Sequence, residues 1–237
     1  YPWGSVYNPA YRFAGSGLNW ASLCRAGSHF TLLFSLGEFA RGYLEECHVT
    51  PSQVCGLDVG SITGEGEVSG TTIFEWSALG IGGKVIDDGF VGMVPYMPES
   101  AMGNGEIWEL ASPPLLYLSR NITVDTQGFG RYKGGTGWES AYIIHNPPEV
   151  FTLIENCQTG GTNPCESFGF SGAYPAAGST SILAQGTNAK ELIEKRMPLP
   201  HSAREVMEML ESGALKAEKV EIRKGQTNAR LLNEGDI

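Results

Sequence analysis

The chain has 237 residues, 41% of them hydrophobic, and a net charge of −10. That is enough apolar material for a substantial folded core, while the acidic balance argues against a nucleic-acid surface, which needs a basic stripe to displace counterions. No run approaches the roughly 18 uninterrupted apolar residues of a membrane-crossing helix, so no membrane span is expected.

The charge is unevenly placed. Residues 1–187 carry seven Lys and Arg against 17 Asp and Glu, whereas 188–237 carry nine of each. Cys24, Cys47, Cys55, Cys157 and Cys165 form an odd set at irregular spacings, which suits reduced thiols in a cytoplasm better than a secreted disulfide frame. The first residues, Tyr1-Pro2-Trp3-Gly4, show neither an initiator Met nor a signal peptide, so the chain is expected to be a piece of something longer.

From Tyr1 to Trp20 the chain is rich in aromatics, Gly, Pro and Asn without periodicity, and reads as an extended packing segment. Between Gly27 and Cys47, Phe30, Leu33, Phe34, Phe39, Tyr43 and Leu44 recur at helical spacing, which predicts one or two packed helices broken or closely packed at Gly37 and Gly42. From Val54 to Ile154 short β-branched and aromatic runs alternate with glycine turns. The strands expected there are 71–76, 84–86, 90–95, 115–124, 138–144 and 150–154. Residues 157–186 are small and polar and read as a long irregular loop.

The last 50 residues predict a short helix over 188–197, stopped by Pro198 and Pro200. A second helix follows, opened by the capping box Ser202-Ala203-Arg204-Glu205 and closed by Gly213, and then a short strand over 219–222. The expected fold class is α+β: a β-rich core over 1–187 with packed helices in its N-terminal part, and a helical C-terminal extension over 188–237.

Between two of the predicted strands lies Asp125-Thr126-Gln127-Gly128-Phe129-Gly130-Arg131-Tyr132-Lys133-Gly134-Gly135-Thr136-Gly137. Its five glycines allow a tight connection, and its charges suggest either a solvated turn or a recognition loop. Gly128-x-Gly130-x-x-x-Gly134 lacks dinucleotide-loop spacing, and no Gly-x-x-x-x-Gly-Lys-Ser/Thr occurs, so no nucleotide site is expected in this chain. The four histidines, His29, His48, His145 and His201, are scattered without ligand spacing, and no metal site is expected either. Asn121-Ile122-Thr123 is a glycosylation sequon by letters only. There is no Gly-x-Ser-x-Gly elbow.

Glu75, Asp87, Asp88, Glu106 and Glu109 stand in a stretch otherwise full of glycine and apolar residues. Asp87 in its Asp-Asp-Gly turn reads as a turn residue, whereas Glu75 and Glu109, each beside a Trp, read either as loop-solvating carboxylates or as groups of perturbed acidity suited to proton transfer.

The order Phe74-Glu75-Trp76, Gly82-Gly83, Asp88-Gly89, Asn104-x-Glu106-x-x-Glu109, Pro113 and Asp125-x-x-Gly128-x-Gly130-Arg131-Tyr132-Lys133-Gly134-Gly135-x-Gly137 resembles the C-terminal half of the hydantoinase B/oxoprolinase family. The family's Ser-Gly-Gly-Ala becomes Thr126-Gln127-Gly128-Phe129 here. The extension after residue 157 looks more like the large subunits of ATP-dependent ketone carboxylases, of the acetone and acetophenone type.

The resemblance implies a multi-subunit ligase that carboxylates a ketone with bicarbonate at the expense of ATP. The nucleotide would be bound on a hydantoinase A-like partner subunit, and any divalent metal would lie outside this chain. Glu75, Glu106 and Glu109, the acids of the apolar stretch, are then the candidate catalytic carboxylates, and Asp125, Arg131 and Lys133 the candidates for substrate binding or for holding the closing loop. The alternatives are an ATP-dependent hydantoinase, oxoprolinase or lactamase subunit that opens a cyclic amide, and a non-catalytic scaffold.

Overall fold

A computed structural model describes residues 33–47, 55–62, 68–75, 80–91, 105–111, 114–147, 150–157, 169, 172–177, 180–223 and 230–237. The expected extended segment over 1–20 lies outside them. The architecture is mixed α+β, with one four-stranded and two two-stranded antiparallel sheets among the described residues.

The described part of helix α1 runs over 33–41 and stops at Gly42, whose φ of +87° only glycine adopts without strain. A single tight turn at Leu44–Glu46 follows. The buried Cys47 thiol then donates back to the carbonyl of Ser35 at 3.1 Å, fastening the turn to the helix.

Strand β1 (Cys55–Ile62) is the centre of the large sheet. It pairs with β2 (Val68–Glu75) on one side and β5 (Val150–Cys157) on the other, and β8 (Arg230–Leu231) adds to β5. β1 is not apparent in the sequence because the alternation of Cys55, Leu57 and Val59 is filled in by Gly56, Asp58 and Gly60, residue types that are depleted in strands and read as turn. Its ladder runs from Cys55 to Ile62 against both neighbours, with Gly60 facing Gly70 across β2.

Helix α2 (Gly105–Ala111) precedes the hairpin formed by β3 (Leu115–Ile122) and β4 (Trp138–Ile144). The register slips between Tyr117 and Ser119. That bulge places Tyr117 opposite Tyr142 and Arg120 opposite Ser140, so two residues three apart in sequence share one face. On the other face, Ser119 Oγ and Asn121 Nδ2 donate to the carbonyl of His201, and the Ala203 amide donates to Glu139 Oε2 at 3.2 Å. The C-terminal segment thus docks on the outer face of the hairpin.

The expected loop over 157–186 contains a strand instead, β6 (Ser181–Gln185), which pairs with β7 (Lys219–Arg223). Isolated between small polar residues, β6 has no alternation to announce it and depends on its distant partner. Between these strands lie α3 (Ala189–Glu194) and α4 (Ala203–Ser212). They close over Leu192, Val206 and Leu215, with Ile182, Leu199, Met209, Leu210 and Ile237 packed around them.

Ser202 caps α4 by accepting from the Glu205 amide at 3.1 Å. Glu205 reaches back one residue further than a capping box requires, to the His201 amide at 2.7 Å. Residues 235–237 stitch the pieces together. Gly235 and Asp236 exchange backbone bonds with Ile144, and Ile237 exchanges two with Ala184. The buried Asp236 carboxylate accepts from the amides of Gly186 and Asn233.

The glycine-rich connection over 123–137 is woven against two other segments, 80–91 and 172–177. Gly135 N–H donates to Ile81, Gly89 N–H to Lys133 and Ile81 N–H to Phe90, at 2.8, 2.8 and 2.9 Å. Tyr174 and Ala177 donate to Phe129 and Thr126 at 2.7 and 2.9 Å. A methyl group on Gly135 would sit 1.8 Å from the Phe90 carbonyl oxygen, and one on Gly89 equally close to that of Ile81. Only hydrogen fits at either position. Lys84–Ile86, expected as a strand, is instead drawn into a turn closed by Lys84 N–H to Asp87 O at 2.8 Å.

In the complete polypeptide, Gly135→Ala is expected to lower the unfolding midpoint through a loss of at least about 1–3 kcal/mol, because both colliding groups are backbone. Leu215→Ala, which empties a fully buried site, is expected to cost about 2–5 kcal/mol by denaturant titration.

Candidate functional site

The candidate site is the mouth of the β3–β4 hairpin and the glycine weave around it. The turn begins at Thr123, whose amide bonds the Gly137 carbonyl at 3.0 Å, and is braced by the Thr126 hydroxyl, which accepts from the Gly137 amide at 2.9 Å and bonds the Thr123 hydroxyl at the same distance. Asp125 lies between them at φ +57°, a left-handed conformation that a short polar side chain tolerates. Its carboxylate is exposed and has no role in the brace.

Lys133 faces the acidic turn of the neighbouring segment. Its amide donates to Asp88 Oδ1 at 3.0 Å, and its ammonium lies 4.0 Å from Asp88 Oδ2. Both side chains are more than half exposed, so the ion pair itself adds little, and the amide bond is the firmer link. Arg131 is exposed, with its guanidinium 5.7 Å from the ring centre of the adjacent Tyr132. Of the three charged residues singled out in the loop, Lys133 joins the loop to segment 80–91, and Asp125 and Arg131 stand at its surface.

The three candidate carboxylates occupy different situations. Glu75 ends β2, opposite Cys55 of β1. Glu106 lies exposed in the first turn of α2. Glu109, one turn on and half-buried, accepts from the Tyr117 amide at 2.8 Å. The acceptor for that amide therefore comes from α2, right at the bulge, and Glu109 fixes the helix to the hairpin.

The inner face of the hairpin carries a cluster that the sequence motifs pass over. The Tyr117 and Tyr142 rings lie 4.6 Å apart with a tilt of 46°. The Arg120 guanidinium lies over two rings, 5.5 Å from the centre of Tyr117 and 5.9 Å from that of Trp138. Gly105 at the start of α2 approaches both Tyr117 and Arg120, where an added methyl would be in ordinary contact at 3.6–3.7 Å. Arg120 went unremarked in the sequence because it sits mid-strand, three residues from Tyr117, and only the bulge puts the two on one face. An arginine inside an otherwise uncharged strand run was the available signal.

Among the described residues no group of three or more His, Cys, Asp or Glu is placed to hold a metal ion, and no helix is long and apolar enough to cross a membrane. The Gly134 amide turns inward to the Gly128 carbonyl at 2.9 Å, and the Gly135 amide to Ile81. These loop N–H groups are thus already bonded to backbone oxygens, which does not fit a phosphate cradle.

The chain is 33% identical over 201 residues to the acetone carboxylase alpha subunit of Xanthobacter autotrophicus, a match that covers 84% of this chain and 25% of that protein. The fold is similar to a solved structure described as "Mechanism of ATP-Dependent Acetone Carboxylation, Acetone Carboxylase nucleotide-free structure". That likeness has a TM-score of 0.70 at 27% identity, and covers 97% of this chain and 30% of the other. The chain spans between a quarter and a third of the length of these relatives. It matches the hydantoinase B/oxoprolinase family over residues 1–227, and it therefore belongs to that family.

Proposed function

We propose that this chain is a component of an ATP-dependent carboxylase complex that joins bicarbonate to a ketone of the acetone or acetophenone type, contributing part of the carboxylation cavity and of the subunit contacts. The observation that carries this reading is the acetone carboxylase likeness, which extends over 97% of the chain and so includes the hairpin and its glycine weave. On this reading ATP supplies the activation that bicarbonate needs, and it is bound by a hydantoinase A-like partner subunit. A divalent metal, if the complex uses one, is held outside this chain, and the location is cytoplasmic. The division into a core over 1–187 and an extension over 188–237 belongs to the same proposal, the extension serving as the outer support of the hairpin.

The carbon–carbon bond forms when the ketone's α-carbon, having lost a proton, attacks the carbon of bicarbonate that ATP has activated as a phosphate ester, and the C–O bond to phosphate breaks as phosphate leaves. The proton needs a base, and Glu75 and Glu106 are the proposed candidates in this chain. Glu109 is proposed as a positioning residue, since its carboxylate is engaged by the Tyr117 amide. Asp125, Arg131 and Lys133 are proposed to shape the loop, Lys133 through Asp88, with Arg131 able to meet an anionic intermediate through its planar fork.

A second reading, ATP-dependent opening of a cyclic amide, is favoured by the family description itself. A third, a non-catalytic scaffold, is favoured by the structural bonds of Glu109 and Lys133. Turnover assays of the purified complex separate them. Bicarbonate-dependent consumption of a ketone supports the first reading, and lactam or hydantoin opening without bicarbonate supports the second.

Glu106→Gln is expected to lower the rate of carboxylation by about 100-fold or more, the usual contribution of a general base, with the assembly intact. Glu109→Gln is expected to act mainly on thermal stability. If Gln variants of Glu75, Glu106 and Glu109 change assembly but never turnover, the scaffold reading stands. Arg131→Ala is expected to slow the reaction about tenfold or more, as loss of a charge-assisted hydrogen bond would. An unchanged rate in an intact complex removes its anion-binding role.

A further inference from the structure

Strand β1 is paired on both sides along its whole length. Cys55 to Ile62 pair with Glu75 to Val68 of β2 and with Cys157 to Val150 of β5, and neither ladder contains a bulge, so the register at every rung is fixed by its neighbours. At Cys55 the two ladders meet in a single row: Glu75, Cys55 and Cys157. Residues directly opposite one another in a sheet belong to the same face. Two cysteines and a carboxylate therefore share one face at one level, at the end of the sheet.

Directly paired residues of antiparallel strands have Cα atoms about 4.5 or 5.5 Å apart, according to the type of rung, and both values lie within the roughly 4.4–6.8 Å that a disulfide spans. Their Cβ atoms lie about 4.5–5.5 Å apart before any bond forms, against about 3.8 Å in a relaxed disulfide. The rung must draw in to close. A bond made under that strain is more easily reduced than a structural one, which suits a link that opens and closes in a compartment that keeps thiols reduced. Cys47 is placed differently, buried with its thiol donating to the Ser35 carbonyl at 3.1 Å.

We propose that Cys55 and Cys157 form a thiol-oxidation site, which closes as a reversible cross-strand disulfide between β1 and β5 in the presence of a small disulfide such as that of glutathione. The thiolate of one cysteine attacks the small disulfide, a mixed disulfide forms and one small thiolate leaves. The thiolate of the other cysteine then attacks the protein sulfur of the mixed disulfide, the bond between the strands forms and the second small thiolate leaves. The two cysteine protons pass to the two small thiolates, so the cysteines are oxidised and the small disulfide is reduced to two thiols. The bond joins positions about 100 residues apart in sequence, at the sheet end that also carries Glu75. It is independent of which reaction the complex performs.

The test uses the complete complex, first reduced and then equilibrated with glutathione disulfide and glutathione at set ratios. Remaining thiols are alkylated under denaturing conditions, and the protein is digested and read by mass spectrometry without reduction. A Cys55 peptide joined to a Cys157 peptide, two hydrogens lighter than their sum, is expected to accumulate as the disulfide fraction rises and to vanish on adding dithiothreitol. Closure is expected to slow amide exchange over 55–57 and 155–157 about tenfold or more, because the last rungs of a ladder open most readily. Cys157→Ser is expected to abolish the joined peptide and the slowing together. Asn156→Cys combined with Cys157→Ser moves the thiol by one residue, opposite Gly56 and onto the other face, and is expected to form no bond with Cys55.

The proposal is overturned if, at the highest disulfide fraction, the parent's Cys55 and Cys157 are both recovered alkylated, carry separate glutathione adducts, or are joined instead to Cys24 or Cys165. A shifted variant that bonds to Cys55 as readily as the parent does also overturns it, since the register then decides nothing.

Discussion

The carbonyl oxygen of Phe90 occupies the space where any side chain at position 135 would begin, and the Ile81 carbonyl does the same at position 89. Backbone meets backbone at these crossings, and the rest of the candidate site is arranged around them. Three stretches far apart in sequence, 80–91, 123–137 and 172–177, are held together by main-chain hydrogen bonds that side chains would have kept apart. This arrangement is rigid for a simple reason. Peptide groups packed this closely have no rotamers to change, and each N–H that bonds across a crossing fixes the register of the next.

The hairpin gains from that rigidity on both faces. Its outer face is capped by the His201 carbonyl and the Ala203 amide, which occupies Ser119, Asn121 and Glu139. The inner face keeps Tyr117, Arg120, Trp138 and Tyr142 together. A single bulge decides the composition of each face. Regular alternation would put Ser119 on the inner face with Tyr117 and send Arg120 outward. Glu109 accepts the Tyr117 amide at that irregularity, so the helix supplies the acceptor that the bulged strand lacks there.

Legibility in the sequence followed the range of the forces involved. The α3 and α4 helices, the cap at Ser202 and the close at Gly213 were readable because periodicity and capping are local, acting within one or two turns. β3 and β4 were readable because their β-branched and aromatic runs flank an obvious turn. β1 and β6 were not. Gly56 and Gly60 make β1 read as turn although Cys55, Leu57 and Val59 alternate, and β6 exists by virtue of β7, which lies more than 30 residues further on. The ordered glycines and acids from Glu75 to Gly137 pointed to the family without revealing which atoms the glycines make room for. Lys133 could be placed at the loop from sequence, but its partner Asp88 could not, since the pairing spans 45 residues. Arg120 was invisible for a related reason: a bulge has no dependable signature in one strand alone.

The closure at residues 235–237 bears on how the molecule comes together. Ile144 exchanges its backbone bonds with Gly235 and Asp236, and His145 and Asn146 bond Glu234 across 89 and 88 residues of chain. A ribosome adding about 5–20 residues each second needs roughly 5–20 s to cover that interval. Throughout it, the end of β4 is an open strand edge beside the buried residues Ile143 and Ile144, the kind of surface that pairs with whatever strand it meets first. Residues 234–237 therefore close that edge only after the intervening chain has been made. Until they arrive, the hairpin that shapes the site is complete in sequence and still unsealed, and shielding that edge falls to whatever is present to cover it.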